Sequence, residues 1–208
     1  MRASKRSDAI ITQIMFLLKD DSWEIRDTKE KGRGVFAEKI IPAGTIIGDY
    51  IGKVIKTAEY DLDLDKKGLY LMYFSDKASI YPDLKKSGIY LLNHSCVPNC
   101  WIYTHQGHTL FFALREIKKG EELTISYLLS PKTDACQPCT HTCKCESKLC
   151  TGSMHMAPDK YEIWQKFQDG EKRKTRNAKI MYGKDLSPLK SYPKIDSENP
   201  IYKRMILP

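Results

Sequence analysis

The chain has no apolar run long enough to span a membrane as a helix. Its longest candidate, Ala9 to Leu18, is interrupted by Thr12 and Gln13 and stopped by Lys19-Asp20-Asp21. No small-x-small cleavage pattern follows, so this start does not read as an export signal. No internal repeat is visible, which excludes a repeat array. Acidic charge is in deficit, with Asp+Glu 26 against Lys+Arg 34 and a net charge of +8. That balance suits acidic partners such as nucleic acid or nucleic-acid-bound proteins, although it equally fits a solvated basic surface. Seven cysteines without an export signal point to a reducing, intracellular compartment, and to metal ligation rather than disulfides.

What is present fits one domain with extensions: 208 residues, 41% of them hydrophobic, are enough to bury a core. Ser7 or Asp8 caps an expected N-terminal helix within residues 1–21, whose Ile10, Ile11, Ile14, Leu17 and Leu18 form one apolar face for the domain or a second chain. Beyond it the pattern turns to short strands. Trp23 to Arg26 and Val35 to Ala37 flank the Lys31-Gly32-Arg33-Gly34 turn, and Pro42-Ala43-Gly44 precedes the β-branched Thr45-Ile46-Ile47. Thr57 caps a helical turn to Leu64, and further strands are expected at Leu69 to Phe74, Thr109 to Leu114 and Glu122 to Tyr127. Short strands with frequent turns argue against a doubly wound nucleotide fold and for an all-β or α+β domain. From His155 onward twelve Lys/Arg face seven Asp/Glu, with a basic cluster at Lys172-Arg173-Lys174-Thr175-Arg176. Pro158 to Phe167 reads as a helix with Tyr161, Trp164 and Phe167 on one face, better suited to docking on the domain than to substrate binding. After Gly170 the chain reads as extended or partly disordered.

Four motifs stand in order along residues 22 to 154: Lys31-Gly32-Arg33-Gly34-Val35-Phe36, then Asn93-His94-Ser95-Cys96, then Glu121 to Tyr127, then Cys143-x-Cys145-x4-Cys150. Together they resemble the SET-domain protein lysine methyltransferases with a zinc-binding post-SET segment. The resemblance implies a mainly β SET fold of small curled sheets (a β-clip with short helices), the Asn93 segment being threaded under a later loop as a pseudoknot. It divides the chain into the N-terminal helix (1–21), the SET domain (22–130), a zinc-stapled post-SET segment (131–154) and a basic C-terminal extension (155–208).

The implied reaction moves a methyl group from S-adenosylmethionine to a lysine amine, which must be neutral, aligned and away from water. An aromatic-walled channel disfavours the ammonium form, and tyrosine suits such a wall because its sides are apolar and its tip polar. By resemblance Tyr127 stands nearest the reacting methyl and Tyr50 lines the lysine channel; Tyr70, Tyr73, Trp101 and Tyr103 are further channel candidates. Lys31, Gly32, Arg33 and Gly34 hold the methionine end of the cofactor, Asn93 and His94 meet its adenine, and Met154 covers it. His94 has the chemistry of a base, but the resemblance implies a structural, cofactor-facing use. At Ile125 many such enzymes carry Phe or Tyr. An isoleucine offers no hydroxyl there, which leaves room for di- or trimethylation unless Trp101 or Tyr103 fills the space.

The resemblance also implies about one zinc per chain, held by Cys96, Cys143, Cys145 and Cys150. Cys136-x2-Cys139 has ligand spacing: it displaces part of that set, binds a second metal or, most simply, remains as free thiols, with Cys100 a small core residue. Two positions depart from the family pattern. Tyr90-Leu91-Leu92 precedes Asn93 where Arg-Phe is common at the first two places, and Glu146 follows Cys145 where glycine is frequent. The expected partner is a lysine-bearing protein, a histone or another basic protein, with nucleic acid touching the basic tail and no membrane. The expected location is nuclear or chromatin-associated in a eukaryote, otherwise cytoplasmic or exported to a host. A catalytically silent SET module binding a lysine-bearing peptide or nucleic acid is the alternative, and a purely zinc-dependent nucleic-acid binder leaves the upstream motifs unexplained.

Overall fold

The computed structural model describes residues 15–59, 70–134, 136–172 and 181–196, with the backbone alone for 59 and 167–172. Ten strands and a helix run in the order β1 (Trp23–Asp27), β2 (Arg33–Ala37), β3 (Ile46–Asp49), β4 (Lys53–Lys56), β5 (Met72–Ser75), β6 (Ala78–Tyr81), β7 (Asn93–His94), β8 (Cys100–His105), β9 (His108–Ala113), β10 (Glu122–Ile125) and α1 (Pro158–Lys172). They form three small sheets ordered β1-β2-β10-β7, β3-β9-β8 and β4-β6-β5. This is the mainly β architecture expected. Among the described residues no helix is long and apolar enough to cross a membrane.

Two pairings position the site. The β1–β2 hairpin closes in register from Trp23 opposite Ala37 to Asp27 opposite Arg33, so its turn falls before Arg33 rather than on Gly34. Thr28 closes that turn: its hydroxyl donates to the Gly32 carbonyl at 2.6 Å and accepts from the Lys31 N–H at 2.9 Å. The short strand β7 lies parallel to β10, with Asn93 opposite Thr124 and His94 opposite Ile125. The Asn-His pair therefore sits beside the strand that ends just before Tyr127. Buried Asn99 locks this arrangement, its Nδ2 donating to the Glu122 carbonyl and its Oδ1 accepting from the Thr124 N–H, both at 2.8 Å.

The core gathers between the sheets from Val35, Ile47, Val54, Ile80, Phe111 and Leu123, all completely buried. Each such side chain contributes about 1.5–3 kcal/mol by leaving water. The central strand β9 is buried along its whole length, including His108, whose Nδ1 stands 2.9 Å from a carboxylate oxygen of buried Asp49. Cys100 is wholly buried, as expected of a small core residue.

Both flanks depart from the sequence reading. Residues 1–14 of the expected N-terminal helix lie outside the described residues. Of its last part, residues 15–19 are not helical and only a single 3-10 turn, Asp20–Ser22, closes it: Phe16 bridges Gly48 in antiparallel fashion, and Phe16 stacks on Trp23 at 3.9 Å. The Leu17 N–H donates to the Ile47 carbonyl and the Asp49 N–H to that of Met15, so tertiary pairing with β3 overrides the local amphipathic period. At the other end, residues 181–196 open on a turn at Met181 to Lys184 and form no helix or regular strand, but they are packed. Lys53 bridges Asp185, Leu186 and Ile195 are buried, and the Tyr192 hydroxyl donates to Asp49 at 3.1 Å. The helix from Pro158 runs five residues past Phe167. Beyond Lys172 the basic cluster lies outside the described residues, as does the helical turn expected between Thr57 and Leu64 beyond its first three residues, Thr57–Glu59.

Candidate active site

The glycine-flanked turn, the Asn-His pair and β10 meet at one place. Gly34 is needed there: a Cβ would stand 2.6 Å from Glu122 Oε1 and 2.9 Å from Asn93 Nδ2. Asn93 Nδ2 donates to the Arg33 carbonyl at 3.1 Å and to Glu122 Oε1 at 2.8 Å, while Lys31 forms an ion pair with the same carboxylate. Gly32 adopts φ +71 with open space around it, and Arg33 beside it is exposed. The backbone of this turn is thus accessible from one side and braced by Glu122 from the other.

Tyr127 lies just past β10. Its N–H donates to His94 Nδ1 at 3.1 Å, so that nitrogen is the unprotonated one and the other carries the proton. His94 Nε2 lies 3.7 Å from Cys96 Sγ. Burial, and then the positive charge of Lys31, hold the His94 imidazole down at about 4. The Tyr127 hydroxyl donates to the Leu92 carbonyl at 3.4 Å, and the Tyr50 hydroxyl to the Tyr70 carbonyl at 2.6 Å. Burial, then Tyr70, push the Tyr127 hydroxyl up to about 12, and burial drives Tyr50 well above the usual tyrosine range. Both phenols are neutral hydrogen-bonding groups at physiological pH.

Tyr50 and Tyr127 line one cavity of about 210 Å³, with Tyr73, Tyr90, Ile125 and Trp164 among its other walls. Of β8, it is Ile102 that faces this cavity. Alternation along the strand turns Trp101 and Tyr103 to the opposite face, away from the place the sequence reading offered them. Tyr70 supports the cavity through its carbonyl, and its ring meets Tyr90 edge-on at 5.3 Å.

Cys96 leaves β7 toward the segment that carries the other cysteines. The thiols of Cys96, Cys143, Cys145 and Cys150 all lie within 4.8 Å of one another, with Cys96 and Cys143 3.6 Å apart. Tetrahedral zinc with Zn–S about 2.3 Å places its sulfurs about 3.8 Å apart, so four thiolates here fit a closed zinc site. Met154 sits on the same segment, its N–H donating to the His141 carbonyl at 2.9 Å.

Residues 32–128 match the SET domain family. That stretch is a SET domain. The turn, the Asn-His pair, Cys96, Tyr50 and Tyr127 all lie in or directly beside the matched stretch, and the later cysteines follow it. Similar proteins include the histone-lysine N-methyltransferase trithorax of Drosophila virilis, 34% identical over 129 residues that make up 57% of this chain and 3% of that protein. An H3 lysine-9 specific histone-lysine N-methyltransferase of Schizosaccharomyces pombe is 35% identical over 156 residues, 62% of this chain and 32% of that protein. An H3 lysine-36 specific one of Saccharomyces cerevisiae is 35% identical over 135 residues, 60% of this chain and 18% of that protein. The chain thus spans a third or less of the length of these relatives.

Some residues of this SET domain site escaped the sequence reading. Glu122 stands in the Glu121 to Tyr127 motif and an expected strand without a role of its own, yet it is the carboxylate on which Lys31 and Asn93 converge. Trp164 was read as a docking residue, and the structure puts it on the cavity wall beside Leu128 and Leu129. Cys136 and Cys139, read most simply as free thiols, stand together with His141 and His155. The signal for that grouping was present as Cys136-x2-Cys139-x-His141, with the histidine two residues past the second cysteine.

Proposed function

We propose that this SET domain transfers a methyl group from S-adenosylmethionine to a lysine side chain of a protein. The observation that carries the reading is the tyrosine-lined cavity ending at Tyr127, whose backbone is tied through His94 to both the Asn93 strand and Cys96. The cofactor, when bound, supplies a methyl group on a positive sulfonium. The accessible turn backbone at Lys31, Gly32, Arg33 and Gly34, with Asn93 and His94 beside it, fits such a ligand and would hold it. Met154 closes the same side by the resemblance.

The cavity walls select a neutral amine, since ring faces and aliphatic groups replace the water an ammonium needs. Tyr50 and Tyr127 place hydroxyls at that amine without acting as bases, because burial keeps both protonated. The proton leaves to solvent before transfer. His94, neutral and with Nδ1 occupied by the Tyr127 N–H, positions the loop and takes no proton. Cys96, Cys143, Cys145 and Cys150 would hold zinc as a structural staple joining the post-SET segment to the domain.

The relatives named for lysine 9 and for lysine 36 are both 35% identical to this chain, so the likeness does not single out a target lysine. A histone or another basic nucleic-acid-associated protein is the substrate class we propose, with nuclear or chromatin-associated location and nucleic acid held by the basic cluster after Lys172.

The test incubates the full chain with labelled cofactor and separate histone, ribosomal and whole-lysate protein pools. Label is expected on lysine, and Tyr127→Phe should keep cofactor affinity while losing about 100-fold or more in transfer, the cost of a mispositioned reactant. Cofactor binding with no transfer to any pool would make the chain a binding module. Full activity of the Tyr127→Phe chain would remove Tyr127 from the reaction.

A further inference from the structure

Outside the thiolate cluster beside Cys96 stands a second convergence of soft ligands. Cys136, Cys139, His141 and His155 bring two sulfurs and two ring nitrogens within 4.8 Å of one another. His141 Nδ1 lies 3.6 Å from Cys136 Sγ and 3.9 Å from Cys139 Sγ; His155 Nε2 lies 3.5 and 3.6 Å from the same two sulfurs. Zn–S of about 2.3 Å and Zn–N of about 2.0–2.1 Å at tetrahedral angles put sulfur and nitrogen about 3.6 Å apart. These spacings therefore match ligands arranged around one ion.

A second observation fixes the tautomer. His155 Nδ1 lies 2.6 Å from the Ser130 carbonyl, which only accepts, so this nitrogen carries the hydrogen. The lone pair is then on Nε2, the nitrogen aimed at the two cysteines. A ligating histidine that hands its other N–H to a backbone carbonyl is the usual support around a bound metal.

We propose that Cys136, Cys139, His141 and His155 form a second structural zinc site, separate from the four-cysteine site. Two thiolates with two imidazoles at tetrahedral spacing suit zinc over the hard cations, which prefer oxygen. Four protein ligands leave no open position, so the ion holds structure and does no chemistry.

Its place in the fold gives it a task. Residues 131–134 and 136–141 contain no strand or helix, whereas His155 pairs with Leu129, two residues after Tyr127. The Met156 N–H donates to the Leu129 carbonyl, and α1 starts two residues later, carrying Trp164 to the cavity. An ion at this point clamps the loop to the backbone that follows Tyr127 and to the root of α1. The first site anchors the Cys143 to Cys150 stretch to Cys96, and the second anchors the ends of the same stretch to residues 129 and 130.

The experiment measures zinc per chain by mass spectrometry on the full chain purified under reducing conditions, then repeats it for Cys136→Ser/Cys139→Ser. About two ions should fall to about one. One ion in both proteins would overturn the proposal, as would two ions kept by the double variant. Should the double variant fail to fold, His141→Cys decides. In the cobalt-substituted chain, this variant should keep both ions and raise the thiolate charge-transfer absorption, and an unchanged spectrum would show that His141 is not a ligand. Neither readout uses methyl transfer, so failure here is distinguishable from failure of the enzymatic reading.

Discussion

Ile125 occupies the cavity wall two residues before Tyr127, in a space otherwise shaped by Tyr50, Tyr73 and Tyr90. Because Trp101 and Tyr103 face away, no side chain from β8 brings a hydroxyl to that wall; Ile102 stands there instead. The wild-type chain is therefore expected to carry an unmodified lysine peptide to the di- or trimethyl product. Ile125→Tyr, which adds bulk and a hydroxyl, should hold it at monomethyl. Mass spectrometry of products taken to completion checks both, and monomethyl product alone from the wild type would remove Ile125 from control of product state. The phenols give a pH prediction. Unfolded tyrosines ionise near 10.0, while burial keeps Tyr127 and Tyr192 protonated to about 12. Between those values the unfolded state binds fewer protons, so stability is full below pH 10 and falls as pH rises toward 12. An absorbance titration of the native chain should show part of its 12 tyrosines lagging the urea-unfolded curve. Coincident curves would mean these hydroxyls are solvated.

At the level of elements, the site depends on β2 running close against β7 and β10. Gly34→Ala should force Glu122 away from Asn93 and Lys31, since the added methyl meets that carboxylate at 2.6 Å. The expected result is about 10-fold weaker cofactor binding, equivalent to about 1.4 kcal/mol, measured by calorimetry. Unchanged affinity would separate the turn from the cofactor. Much of this level was legible in the sequence. The strands at Trp23, Val35, Ile46, Thr109 and Glu122 announced themselves by β-branched and aromatic runs between turn residues, and the helix at Pro158 by its aromatic spacing. Strands β4 and β6 escaped because each is four residues long and, unlike β3 after its Pro42-Ala43-Gly44 turn and β10 inside its motif, has no such neighbouring signal to mark it before its partner is known. The strand β7 is shorter still, and only its pairing with β10 makes it one.

For the whole molecule, residues 181–196 act as a strap. Leu186 and Ile195 are its buried anchors, set among charged and proline residues that carry no periodic signal, so the segment read as loose chain. Leu186→Ala should cost about 2–4 kcal/mol. At this size that is a fall of roughly 5–12 °C in Tm. A thermal scan with no shift would show the strap to be ornamental. The site motifs were readable because each is local in sequence, whereas Glu122, Trp164, His141 and His155 acquire their places only when distant segments meet. Recognition of the four motifs therefore brought out the candidate site and left its supports unseen.

The two flanking segments share one geometric role. Met15 to Leu17 lay their backbone along the outer side of β3, and Gly183 to Leu186 do the same for β4. Both lie outside residues 32–128, the stretch that marks the family. A fragment cut to that stretch would also lose β1, the partner of β2, and would present three rows of unpaired N–H and C=O groups, along β2, β3 and β4, the template on which strands of separate chains join. Trimming this protein to its recognisable domain is thus expected to yield self-association, and light scattering of the fragment against the full chain would show it.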